Sequence, residues 1–286
     1  RINDSYRDNY LFQLKVESGE TIIPHTIDHF YWTHFLEIGF QSVDEGEETR
    51  YDTSFLPMGV LAGDSWPLQD VPVSLTGPTY YSLDLTGALP YPEWVKLNSP
   101  QDTYRAFAFY LSQGDGSMSF LEPMIPATRI VLGHVPPEML YWWYGLVLVN
   151  PSRFQDMDVT CTLYNPGGDV IGAETFHFGP YEKKVGVFED LFPAYSQDDV
   201  SHMEVSAPMP MVASALYGTR NHRELSYVPG DSTFVNAAER VFLPYDPLGY
   251  GNDGWTGLVL VSTSERDGSV NLDWIQSDGS TYESEV

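Results

Sequence analysis

The sequence predicts an all-β chain of tandem antiparallel β-sandwich modules, two complete and one partial. Three observations predict it: a long internal repeat, apolar alternation of period two, and glycine turns between the alternating runs. The repeat opens as Ile22-Ile23-Pro24, Met124-Ile125-Pro126 and Phe242-Leu243-Pro244. Each opening leads to a Trp at the head of an apolar run: Trp32, Trp143 and Trp255. Trp143-Tyr-Gly-Leu-Val-Leu-Val149 and Trp255-Thr-Gly-Leu-Val-Leu-Val261 agree at six of seven positions.

Further elements follow in the same order in the first two copies. Val73 to Pro78 matches Thr175 to Pro180, and the two Gly-Pro turns lie 102 residues apart. Leu89-Pro90 matches Phe192-Pro193. Ser99-Pro100 leads into a strand over Tyr104 to Tyr110, as Ala207-Pro208 leads into Met211 to Tyr217. Phe120-Leu-Glu-Pro123 and Ser226-Tyr-Val-Pro229 close the copies.

Within a copy, Val159, Cys161 and Leu163 alternate with Thr160, Thr162 and Tyr164, the form of a strand with one buried face. Asn165-Pro-Gly-Gly168, Asp115-Gly116, Asp267-Gly268 and Asp278-Gly279 carry the turn chemistry of hairpins. A short helical turn is expected at Phe188 to Phe192. About seven strands per hundred residues points to a sandwich rather than a barrel or propeller. The resulting division is an arm or strand over 1–19, modules over 20–123 and 124–236, and a partial third over 237–286.

The combination of a proline opening, W-x-G-L-V-L-V, Asn150-Pro151-Ser152, a strand ending in Tyr164, Asn-Pro-Gly-Gly, Gly179-Pro180 and Leu191-Phe192-Pro193 resembles the tandem immunoglobulin-like β-sandwich modules of bacterial and archaeal secreted or surface proteins. That resemblance implies an architectural protein rather than an enzyme.

Composition narrows the partners. The formal net charge of −26 opposes binding to phosphate backbones and to anionic membrane surfaces. The longest nearly apolar run, Met139 to Val149, is far shorter than the roughly 20 residues of a membrane helix, so no membrane insertion is expected. One cysteine, Cys161, excludes an internal disulfide and multi-cysteine metal sites; its alternation with Val159 and Leu163 marks a core residue. The start at Arg1 fits a processed, exported chain, secreted or held at a cell surface.

The third copy offers strands at Val241 to Leu243, Trp255 to Val261, Val270 to Ile275 and Thr281 to Glu283, about half a module. Its apolar face and strand edges call for a partner. One reading covers them within the chain, and another takes the sequence as simply cut short of a full module. A further reading has the N-terminal strand of one subunit, through Tyr10, Phe12, Leu14 and Val16, complete the edge at Val270, Leu272 and Trp274 of the next. Repeated without closure, that exchange makes a filament.

Chemistry-bearing motifs are sparse. Gly63-Asp64-Ser65 resembles the opening motif of GDSL-type esterases, and Asp199-Val-Ser-His202 supplies their Asp-x-x-His spacing. Such enzymes need a strand-to-helix turn on a parallel sheet, which this pattern lacks. His25, His29 and His34 are irregularly spaced for a metal. Asp44, Glu45, Glu47 and Glu48 make an acidic run that lacks the order of a calcium loop, leaving Ca2+ as the one cofactor to consider and otherwise none.

Trp142 and Tyr144 fall on the strand face opposite Trp143 and are candidates for stacking on a glycan. The expected function is a non-enzymatic extracellular structural or adhesive protein whose partner is itself or another surface protein. The alternative is a carbohydrate-binding accessory module.

Overall fold

Two stretches of the chain build the same seven-strand pattern, pair for pair. The computed structural model describes residues 17–25, 32–40, 48–57, 69–76, 80–84, 92–112, 118–221, 225–231, 259–262, 271–275 and 281–285. Among these, antiparallel strands dominate, with one four-residue helix and one 3-10 turn.

The first pattern runs β1 (Glu17–Ile23), β2 (Trp32–Phe40), β3 (Glu48–Pro57), β4 (Gln69–Thr76), β5 (Tyr80–Asp84), β6 (Pro92–Ser112) and β7 (Met118–Leu121). The second runs β8 (Ala127–Leu132), β9 (Trp142–Val149), β10 (Met157–Tyr164), β11 (Val170–Phe178), β12 (Lys183–Val187), β13 (His202–Thr219) and β14 (Leu225–Val228). In the first, β6 pairs with β1, β2, β3 and β7, while β4 joins β3 and β5 joins β2. In the second, β13 pairs with β8, β9, β10 and β14, while β11 joins β10 and β12 joins β9. The sheet of the first repeat thus takes in residues 17–19.

Each long strand serves two sets of neighbours. Residues 202–206 of β13 face β8 and β10, whereas residues 212–219 face β9. The ladder with β8 breaks between Ser206 and Met211, across Ala207-Pro208-Met209-Pro210. In β6 the ladder with β1 breaks between Ser99 and Tyr104, across Pro100. Proline has no N–H to give a ladder, so it sits where the strand changes partners.

The core of the second repeat draws on both sets. Ile130, Leu132, Met203, Val205 and the alternating Met157, Val159, Cys161 and Leu163 meet Tyr144, Leu146, Leu148, Met211, Ala213 and Ala215, all buried. Phe178, Phe188 and Phe192 close it, the last two through α1 (Phe188–Leu191) and the residue after it. The β10–β11 hairpin turns at Gly168, whose φ of 85° suits glycine. Asn165 Oδ1 accepts from the Asp169 N–H at 2.9 Å to hold that turn.

Register corrects one equivalence. Leu36 faces Ala108 and Leu146 faces Ala215, and those alanines face Leu121 and Val228. Trp32, opposite Ser112, therefore lines up with Trp142, opposite Thr219, rather than with Trp143.

After β14, β15 (Gly230–Asp231) pairs with β8. In the third copy, β16 (Asn271–Ile275) and β17 (Thr281–Glu285) pair with each other. Residues 259–262 belong to no strand, contrary to the expectation over Val259 to Val261; 255–258 lie outside the described residues. Val241 to Leu243 lies outside the described residues.

Candidate functional site

The strongest constellation lies where the first repeat meets the second. Alternation puts Leu146 and Leu148 of β9 in the core of their own repeat, which turns Val147 and Val149 to the opposite face. That second face is not given to solvent. Val147, Val149 and Val212 are 1%, 0% and 0% exposed, packed with Ile22, Trp94 and Met124. Burying a large apolar side chain contributes about 1.5–3 kcal/mol, so six of them make this a stabilising junction.

Polar and aromatic contacts register it. Ile22 and Met124 exchange two backbone hydrogen bonds, each 2.8 Å, which close the first repeat beside the boundary. Trp94 is fully buried and its ring lies 5.9 Å from that of Tyr181. Its indole N–H finds no acceptor among the described residues, so this tryptophan serves packing. The Lys183 ammonium donates to His25 Nδ1 at 3.3 Å across the boundary.

Tyr181 is aimed by its turn. The Gly179 N–H donates to Glu182 Oε2 at 2.7 Å, and the Tyr181 N–H donates to the Ser152 carbonyl at 2.9 Å. Buried Asn150 ties this turn to the β9–β10 connection. Its Nδ2 donates to the carbonyls of Gln155 and Gly179, each 2.8 Å, and its Oδ1 accepts from the Ser152 N–H at 2.9 Å. The Asn150-Pro151-Ser152 signature of the sequence is therefore a brace for the junction, a role its local pattern does not reveal.

Most of the sequence-predicted site residues fall outside the described residues. Tyr10, Phe12, Leu14, Val16 and Val270 lie outside the described residues. Leu272 and Trp274 stand in β16 opposite Ser284 and Tyr282 of β17. Gly63-Asp64-Ser65, His29, Asp44, Glu45 and Glu47 also lie outside, while His34 and Glu48 fall in β2 and β3. His25 belongs to the junction. Among the described residues no three His, Cys, Asp or Glu groups converge as metal ligands.

Ser201 lies beside His202 Nδ1 at 2.9 Å, and beside the carbonyls of Asn165 at 2.8 Å and Tyr164 at 3.2 Å. A hydroxyl has one proton, and carbonyls only accept. The proton therefore goes to a carbonyl, and His202 acts as donor to the oxygen rather than as base. His202 also stacks on Tyr164, centroids 4.8 Å apart at 7°. This is a clasp for the hairpin, not an activated nucleophile. Cys161 is buried in the core, where burial pushes its thiol up to about 12. A thiol held protonated does not attack or bind metal.

Stacking on a glycan does not fit Tyr144, which is 0% exposed within the core and offers no face to a ligand. Trp142 is half-buried and meets Tyr141 and Tyr217 edge to face, at 80° and 72°. His134 meets Tyr217 the same way, at 75°. These rings pack one another instead of forming a parallel platform. No protein-family model matches the chain, and no curated protein matches it either.

Proposed function

We propose that this is a non-enzymatic structural or adhesive protein, exported to the extracellular side, in which immunoglobulin-like β-sandwich repeats stack into a stiff array. The observation that carries the reading is the buried outer face of β9 and β13, where Val147, Val149 and Val212 meet Ile22, Trp94 and Met124. A strand face with apolar residues on both sides suits a repeat that packs its own core and a neighbour. Strong acidity keeps such a surface soluble and self-repelling except where it docks. No cofactor enters this reading. Further copies of the chain are the proposed partners, adding head to tail by strand pairing along the β16–β17 hairpin.

Two measurements test it. In the intact chain, Val149→Asp places a charge in the junction and should split one cooperative unfolding transition into two; an unchanged transition would refute stacking. Light scattering and negative-stain microscopy should show polymers that Leu272→Lys with Trp274→Lys shortens. Monomers at all concentrations would refute head-to-tail assembly and leave the stacked array.

A further inference from the structure

The junction uses a short run of chain that leaves the first strand of the first repeat. Ile22 and Ile23 end β1, and Pro24 and His25 follow. Ile22 packs on Val147 and Val149, and His25 meets Lys183. The second repeat holds the same run in the same place: Val131 and Leu132 end β8, and Gly133 and His134 follow. In both repeats the chain returns after the seventh strand to pair beside this run. Met124 bridges Ile22 in the first, and Gly230 and Asp231 pair with Leu132 and Val131 in the second.

What seats on the run of the first repeat is the W-x-G-L-V-L-V strand of the second. The third copy carries that motif again, with Val259 in the place of Val147 and Val261 in the place of Val149. Val261 Cγ2 lies 3.6 Å from where a Cβ on Gly133 would stand. Val259 and Leu260 remain 49% and 45% exposed, against 1% each for Val147 and Leu148.

We infer that the end of the second repeat at Val131, Gly133 and His134 is a docking surface for the third repeat, which seats Val259 and Val261 there as the second repeat seats Val147 and Val149 on Ile22. This rests on the stacking reading and extends it to a second, equivalent junction. The neighbouring loop supplies apolar area for the arriving repeat, with Leu140 90% and Tyr141 46% exposed. That loop is braced. The Met139 N–H donates to Asp198 Oδ1 at 2.8 Å, and Arg220 Nε donates to the Met139 carbonyl at 2.6 Å. A pre-ordered loop costs less to dock against.

The test is a pair of cysteines, Gly133→Cys with Val261→Cys, in the full chain under mild oxidation. Among the described residues a Cβ on Gly133 meets Val261 alone, at an ordinary van der Waals distance of 3.6 Å, so the side chain is accommodated, and buried Cys161 does not compete. The expected result is an intrachain disulfide in most molecules. Disulfides between chains would overturn the proposal in favour of a second copy as occupant, and thiols that stay reduced yet react with a reagent would overturn it outright. Hydrogen exchange gives an independent readout. Val261→Asp should speed exchange several-fold at residues 131–134 and leave Val147 and Val149 unchanged; no change at 131–134 would refute docking. Failure here with a positive Val149→Asp result would leave the first junction standing.

Discussion

The ring of Tyr181 meets the ring of Trp94 across the boundary between repeats, 5.9 Å apart at 51°, and Tyr181 does so from left-handed backbone, φ 59°. A bulky residue in that region costs of order 1–3 kcal/mol and persists only where its surroundings hold it. Here the holders are the Glu182 carboxylate on the Gly179 N–H and the Ser152 carbonyl on the Tyr181 N–H. The strain sits at the contact that joins two units, which is where a built interface would place it.

Truncating the other partner should be expensive. Trp94→Ala removes a fully buried ring, for which about 3–5 kcal/mol is typical. Urea unfolding of the chain should show a loss of that size, and Trp94→Phe a smaller one. A stability loss under about 0.5 kcal/mol, the range of surface changes, would contradict the burial.

The Asn150 brace predicts an order among substitutions. Asn150→Ala leaves two carbonyls and one N–H without the partners they have now, and each buried unsatisfied group costs about 1–3 kcal/mol. Asn150→Asp keeps the size but sets a carboxylate oxygen against the Gln155 and Gly179 carbonyls, so it should unfold at lower urea than the wild type too. If Asn150→Asp matched the wild type, the assigned donor direction would be wrong.

Two glycines should respond for different reasons. At Gly230 a Cβ would stand 2.2 Å from the Ala213 carbonyl oxygen, a backbone atom that cannot step aside. At Gly168 nothing lies within 4 Å, and only the φ of 85° resists a side chain. Gly168→Ala should therefore cost roughly 1 kcal/mol, and Gly230→Ala clearly more. Thermal melting of both variants checks the order, and equal losses would contradict it.

Buried titratable groups set a pH dependence. Burial pushes the Cys161 thiol up to about 12 and raises the Tyr144 hydroxyl as well. Above about 8.5 the unfolded thiol ionises while the folded one keeps its proton, so this contribution to stability is lost as pH rises from there towards 12. Burial also lowers His134 and His202, the latter opposed by Glu204. Unfolded imidazoles then take protons first, and that contribution is lost as pH falls below about 6.5. Urea midpoints from pH 8 to 11 should fall more steeply for the wild type than for Cys161→Ala. Parallel curves would contradict the cysteine's share.

Much of the second repeat is legible in its residues. The alternation of Met157 to Tyr164 appears in β10 as strict burial of every second side chain. The turns at Asn165 to Gly168 and at Phe188 to Leu191 appear where their composition puts them. The match between the two copies returns as identical strand pairing. These features come from local rules of period, turn chemistry and proline placement. The run Trp142 to Val149 is different, because it is apolar on both faces and alternation alone does not say what covers either one.

The sequence by itself therefore determined the strands and hairpin turn of the second repeat and the repetition between the first two copies, since the strands and the turn depend on neighbours a few residues away. Only the tertiary structure decided that Tyr144 is core, that Trp32 aligns with Trp142, that Asn150 braces Tyr181, and that Val147 and Val149 bury against Ile22 and Trp94. Those outcomes join residues tens of positions apart. They depend on which of two apolar faces finds the larger dry surface, a choice made by burial over the whole chain and not by any local segment.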